Sequence, residues 1–408
     1  MWQTIFDRMA SRLIQSGRLT VTMPSGARQI YGPGGAIEVE VAIRDDATLR
    51  ALCLSPELAL GEGYMDQRIT VADDDIEGLL RLLLANLTDD FAPLWVRSAE
   101  RIRYCLRHLL MRNTTKSARA NVMHHYDISD DLYRLFLDDD MQYSCAYFKQ
   151  PGMSLDAAQE AKKAHIAAKL CLEPGMRVLD IGCGWGGMAL TLARDHGARV
   201  TGVTLSQNQL ATARARAFEQ GLQDQVEFRL TDYRELDEDF DRIVSVGMLE
   251  HVGAPHYPQY FNQVAHLLAP DGVALIHTIG RYAPPTVPSA WIDRYIFPGG
   301  YIPSLSELAV PVEKAGLWHL DIEILRLHYA VTLRHWLTRF DAQRAQVQKM
   351  YDERFIRMWR FYLISCMMTF EVGKLGVFQL QLGHQRDAVP LTRDYLYHLD
   401  SSARAVAE

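Results

Sequence analysis

Positive charge is what this chain runs short of. Its 408 residues carry 43 Lys and Arg against 50 Asp and Glu, a formal net charge of −7 at pH 7. A chain of that sign lacks the basic footprint of a nucleic-acid binder, so no nucleic-acid partner is expected. Cysteine is sparse: the six at positions 53, 105, 145, 171, 183 and 366 form no CxxC pair. That spacing indicates neither a zinc site nor a disulfide frame, and a reduced, cytoplasmic setting with no bound metal is expected. Long apolar runs are missing as well. The longest, FYLISCMMTF at 361–370, is half of the roughly 20 residues that span a bilayer. The opening stretch MWQTIFDRMASRLIQ mixes acid and base instead of joining a basic start to an apolar core, so no secretory signal is read.

What is present is 48% hydrophobic and 23% charged, the balance of an ordinary globular chain. Its length suggests one large domain and a smaller one. Residues 1–90 read as a small α+β module. Ile5, Met9 and Leu13 recur at helical spacing, LTVTMPSGARQIYG at 19–32 is a strand pair broken by a Pro-Ser-Gly turn, and AIEVEVAI at 36–43 alternates with period two. Residues 91–121 form a basic linker: from 92 to 121 seven Arg or Lys face a single acid, with Trp95, Ile102, Leu106, Leu109 and Leu110 interleaved. This is either a connecting helix with a solvated basic face or an amphipathic segment resting on anionic membrane.

Residues 122–408 form the main domain. From 176 onward the strands MRVLDIG, ARVTGVTLS, QVEFRLTD, FDRIVSVGM and GVALIHTIG alternate with helices starting near Met188, Gln207 and Tyr257. The expectation is an α/β fold with a mostly parallel, doubly wound sheet. A Pro-rich insertion at about 281–330 interrupts it, and aromatic-rich helices such as 351–370 close it.

The stretch VLDIGCGWGG at 178–187 follows a strand and opens a helix. Its glycines allow a tight turn and let a ligand approach the helix N-terminal amides. Gly182, Gly184 and Gly187 satisfy the dinucleotide fingerprint, but such a site carries a ribose-binding acid about 20 residues further on. The next strand ends instead in Thr204-Leu205-Ser206, and an acid, Asp180, precedes the glycines. The form D-x-G-x-G-x-G, with TDY at 231–233, resembles the Rossmann-like class I S-adenosylmethionine-dependent methyltransferases. The resemblance implies that Asp180, Gly182, Cys183, Gly184 and Gly186 wrap the methionine part of the cofactor. Thr204, Ser206 and Gln209 would then reach the ribose region, and Asp232 and Tyr233 would flank the adenine.

Five further strings narrow the resemblance: GEGYMD at 61–66, HYDISDDLYRLFLDDDMQYSCAYF at 125–148, SVGMLEHVG at 245–253, IHTIG at 276–280 and HYAVTLRHW at 328–336. From about Gly61 to the C-terminus the chain resembles the bacterial cyclopropane-fatty-acid synthases and the mycolic acid cyclopropane synthases. The part before Gly61 is similar to a small lipid-carrier-like module. Phe148 stands where many of the fatty-acid synthases have Trp, and Gln67-Arg68-Ile69-Thr70 lacks tryptophans that some members carry; both bear on substrate fit.

The resemblance implies transfer of a methylene from S-adenosylmethionine to the cis double bond of an unsaturated phospholipid acyl chain, closing a cyclopropane ring. It also implies a homodimer in peripheral contact with the inner face of the membrane. An alkene is a poor nucleophile with no acidic proton, so such a site must align it, exclude water and hold a base close to a cationic intermediate. By the resemblance that base is a bicarbonate ion surrounded by Cys145, Glu250, His277, Tyr329 and the backbone at Ile279. Glu250 is suited to accept a proton, and Tyr329 and a protonated or suitably tautomeric His277 to donate. Glu250 is expected at the end of the fourth strand, where α/β sheets bind ligands, with His251 turned to the other face in a structural role.

Cys145 reads as an inert buried thiol or, by the resemblance, a pocket wall, with Tyr143 and Ser144 beside it as cofactor contacts. Cys366 joins the catalytic candidates by resemblance alone, since no base adjoins it in sequence. The same fold can also stop at a methyl-branched unsaturated chain if the proton leaves from a neighbouring carbon. A lipid-binding protein that has lost activity and a nicotinamide enzyme are the readings that the glycine loop, TDY and Thr204 disfavour.

Overall fold

A computed structural model of the chain describes residues 1–87 and 129–397, with residues 98, 102 and 104 between them. The basic segment expected at 91–121 lies almost wholly outside the described residues, as does the start of the HYDISDD string. Compactness divides the chain into two units. The first takes its described residues from Met1–Leu109, Thr286–Pro298 and Tyr329–Leu375, and the second from Leu110–Pro285, Gly299–His328 and Gly376–Glu408. Among the described residues no helix is long and apolar enough to cross a membrane.

The first unit holds a sheet of β1 (Gly17–Thr22), β2 (Arg28–Gly34), β3 (Glu38–Ile43) and β4 (Ile69–Val71) in the order β2-β1-β3-β4. The Pro-Ser-Gly segment turns β1 into antiparallel β2, while β3 lies parallel to β1. Val39, Val41 and Ile43 of β3 face inward at every second position, as the alternation predicts. The helix Glu353–Glu371 packs on the helices Pro56–Met65 and Ile76–Ala85. The GEGYMD string builds much of this contact. A Cβ on Gly61 would sit 2.3 Å from the Trp291 indole, Tyr295 donates to Glu62 at 2.7 Å, and Arg357 lies 3.9 Å over the Tyr64 ring. Residues 286–298 and 329–375, assigned from sequence to the main domain at 122–408, thus pack with the N-terminal module.

The second unit is a seven-stranded sheet of β5 (Arg177–Ile181), β6 (Arg199–Thr204), β7 (Val226–Leu230), β8 (Phe240–Val246), β9 (Leu268–Arg281), β10 (Trp318–Leu325) and β11 (Leu375–Gly383). Their order is β10-β11-β9-β8-β5-β6-β7. The five strands from β5 to β9 pair in parallel, and β10 with β11 antiparallel. Successive residues enter opposite cores: Leu179 and Ile181 one, Val178 the other; Ala274 and Ile276 one, Leu275 the other. Burial on both faces is why the central strands read as apolar runs, while β7 at the edge alternates, with Glu227 exposed. The strand order reverses at β5, and the carboxyl ends beside that point form the crevice where such sheets take ligands.

Candidate functional site

Across the carboxyl edge the strand order sorts the candidates into two groups. The loop after β5, the ends of β6 and β7, and the residues following them carry the cofactor candidates. The ends of β8 and β9 carry Glu250, His277 and Ile279.

In the loop after β5, Gly182 and Cys183 donate their amides to the Val203 carbonyl, each at 3.0 Å. Gly184 has φ +53° with open space where a side chain would be, and Gly186 has φ +86° with Phe228 and Ala213 crowding its Cβ position. The first needs glycine for its backbone conformation, the second for room as well. The helix Gly187–His196 starts directly behind. Asp180 is buried, with Oδ2 lacking any partner. Burial pushes its carboxyl up to about 7, against the pull of the nearby Lys162 ammonium. Thr204 Oγ1 donates to Gln209 Oε1 at 2.9 Å, and the Ser206 hydroxyl caps the following helix by accepting from the Gln209 amide. Asp232 meets Arg234 in a two-pronged ion pair, 2.8 Å from Nε to Oδ1 and 2.6 Å from Nη2 to Oδ2. Its two oxygens are thus engaged within the protein, while the Tyr233 ring packs edge-on against Tyr260.

Glu250 departs from its expected position. Strand β8 stops at Val246, Gly247 takes φ +68°, and Glu250 sits on a 3-10 turn, Leu249–His251. His251 shares that turn, so strand alternation does not orient it; it is half-buried, and burial lowers its pKa to about 4. Glu250 Oε1 accepts the Ile279 amide at 2.6 Å, while Oε2 is buried without a partner. Burial raises this carboxyl to about 7, the Ile279 amide opposing. The amide assigned by resemblance to the bicarbonate ion is therefore donated to Glu250 here.

His277 stands opposite Val246 in the β8–β9 register, two residues before Ile279 on the same face. Gln379 on β11 presents its amide nitrogen 3.1 Å from His277 Nδ1; with that nitrogen donating, Nδ1 accepts and the proton sits on Nε2. Burial, helped by the positive charges of Lys162 and Lys169, drives His277 down to about 3. The ring is neutral at any working pH, and it is the tautomer, not a positive charge, that equips it to donate. Cys145 is buried, its thiol directed to the Ala146 carbonyl at 3.4 Å.

Tyr329 and Cys366 belong to the first unit. Tyr329 packs edge-on against Trp336 and lies 4.8 Å from Phe370, centroid to centroid. Burial pushes the Cys366 thiol up to about 12, which removes the thiolate character that a nucleophile needs. Tyr143 packs edge-on against Tyr133 and Phe136, and Ser144 Oγ accepts from Lys162.

Sequence reasoning passed over the helix Leu155–Lys169. Its string LDAAQEAKKAHIAAK looks like an alanine-rich, solvent-washed helix, yet Gln159, Lys162, Lys163 and Lys169 are all buried. The signal was the alignment of Gln159, Lys162 and Lys169 with Leu155, Ala158 and Ile166 at spacings of three and four.

A family model described as mycolic acid cyclopropane synthetase matches residues 113–380, and one described as a domain of unknown function matches residues 1–91. The chain is 37% identical over 349 residues to the cyclopropane-fatty-acyl-phospholipid synthase of Escherichia coli (strain K12), covering 85% of this chain and 88% of that one. It is 40% identical over 294 residues to a probable fatty acid methyltransferase of Pseudomonas putida, covering 68% and 73%. A solved structure of a mycolic acid cyclopropane synthase complexed with SAH and CTAB matches with TM-score 0.61 at 35% identity, over 65% of this chain and 97% of that one.

Proposed function

The chain belongs to the mycolic acid cyclopropane synthetase family and is an S-adenosylmethionine-dependent transferase; we propose that it closes a cyclopropane ring on the cis double bond of unsaturated phospholipid acyl chains. The carrying observation is the pairing at the ends of β8 and β9. A carboxylate with one oxygen locked on the Ile279 amide and the other buried and unpartnered stands on the same sheet edge as a neutral, donor-bearing imidazole.

S-adenosylmethionine supplies an electrophilic sulfonium methyl. The residues fit it: Asp180 offers a buried acceptor without a donor, and the turn at Gly184 opens on space. The Thr204–Ser206–Gln209 set supports the ribose assignment. Glu250, His277 and Cys145 would hold a bicarbonate ion, and such an ion would supply a base small enough for a water-poor pocket. Glu250 Oε2 accepts a proton there, and His277 donates a hydrogen bond from Nε2. Carboxylate charge in a desolvated setting also stabilises a carbocation developing next to it.

Methyl branching is the second reading, and the 40% identity to a probable fatty acid methyltransferase favours it specifically. One experiment separates the two. S-adenosylmethionine with a fully deuterated methyl is incubated with vesicles of a cis-monounsaturated phospholipid, and the acyl chains are weighed by mass spectrometry. Two retained deuterons, in a product that resists mild hydrogenation, support ring closure. Three retained deuterons establish branching and overturn the proposal.

A further inference from the structure

The helix Leu155–Lys169 places Gln159 and Lys162 one turn apart on one face, and together they grip a single stretch of chain. Gln159 Nε2 donates to the carbonyls of Gln142 and Ser144, at 3.1 and 2.9 Å. Lys162 Nζ donates to the side chains of the same two residues, Gln142 Oε1 and, at 2.8 Å, Ser144 Oγ. Gln142 in turn donates to Asp140 at 2.9 Å. This stretch abuts the glycine loop, because a Cβ on Gly187 would lie 2.3 Å from Gln142 Nε2 and 2.4 Å from Asp140 Oδ2. Asp180 shares the sheet face of Val178, and His277 that of Leu275, the face that Ile166 and Ala167 of the same helix cover. Lys162 is wholly buried and none of its hydrogen bonds goes to a carboxylate.

We propose that Lys162 is a positioning residue for S-adenosylmethionine: it fixes Gln142 and Ser144 as a wall of the cofactor site and supplies the buried positive charge facing Asp180. The inference rests on the family's cofactor and adds a residue that acts through its neighbours. A buried ammonium whose hydrogen bonds go to neutral acceptors is expensive to keep, and a cofactor whose methionine ammonium must be received by an ionised acid gives a reason to keep it. Lys162 faces Asp138, Asp140 and Cys145 as well as its neighbour Lys163, while Asp180 faces Lys162 and the Cys183 thiol. Burial lowers Lys162 only to about 8, so it is charged at neutral pH.

The test is calorimetric titration of the full chain with S-adenosylhomocysteine across pH. In wild type, affinity should fall as pH drops through the Asp180 midpoint near 7. Lys162→Met keeps the length but strips Gln142 Oε1 and Ser144 Oγ of their donor, so a thermal melt checks its folding, and Lys162→Gln, which keeps a donor without the charge, is titrated beside it. Lys162→Met should weaken binding about tenfold at neutral pH and move the midpoint up by about one pH unit. Ser144→Ala should give a smaller loss that does not add to that of Lys162→Met. An unmoved midpoint in Lys162→Met, whatever its affinity, overturns the electrostatic role; strictly additive losses overturn the wall. Failure of wild type to bind S-adenosylhomocysteine overturns the cofactor assignment itself, a distinct result.

Discussion

Replacing Glu250 by Gln should stabilise the protein in mild alkali while abolishing turnover. Oε1 of Glu250 holds the Ile279 amide and Oε2 is buried without a donor, so Gln keeps the first contact and removes the charge. Burial raises this carboxyl from the ordinary 4.5 to about 7. A folded-state pKa above the unfolded one means that the native protein binds more protons between those values. Stability therefore falls as pH rises through that window, and the full penalty stands above pH 7. At about 1.4 kcal/mol per pH unit the gap amounts to ~3 kcal/mol, which the partial exposure of the residue reduces to about 2. At about 2–4 °C per kcal/mol, Glu250→Gln should melt roughly 4–8 °C above wild type at about pH 8.5. The difference should shrink to less than half at about pH 5.5, where wild type has taken up the proton. Thermal melts of both proteins at both pH values decide it. A gap that ignores pH, or a variant that melts below wild type in alkali, refutes the burial argument.

At saturating S-adenosylmethionine, where Asp180 no longer limits binding, wild-type turnover should show an acid limb with a midpoint near 7, since Glu250 accepts a proton only when ionised and His277, held near 3, contributes no limb; a pH–rate profile with its midpoint near the ordinary 4.5 contradicts this. Gly184→Ala should lower stability by about 1 kcal/mol through backbone strain alone. Gly186→Ala should lower it further, because its Cβ would meet Phe228 at 2.6 Å; denaturant titrations giving equal losses would falsify that contrast. Cys366→Ser should keep most of its turnover, since a thiol held at about 12 is not a nucleophile at neutral pH; complete loss in a folded variant restores it as a catalytic candidate.

The sequence by itself determined the elements whose signal is local. The five parallel strands stand where the sequence placed them, the central ones because burial on both faces leaves no polar side to blur the pattern, and the edge strand β7 because it alternates. The glycine loop was legible for a related reason: Asp180 and the glycines form one short backbone path that must turn between a strand and a helix. Glu250 was read in the right place on the sheet edge but on the wrong element. The glycine at 247, visible in the sequence, marks where the strand ends and the 3-10 turn begins. What only the tertiary structure decided joins residues far apart in the chain. Gln379 meets His277 across 102 positions, helices from 286–298 and 329–375 complete the N-terminal unit, and the lysines of an apparently solvent-facing helix lie buried. No periodicity announces the first two; in the helix, spacings of three and four put Lys162 and Lys169 on the apolar face but do not name their partners. A lysine reads as exposed until a second segment, here Gln142 and Ser144, supplies the acceptors that let its charge stay inside.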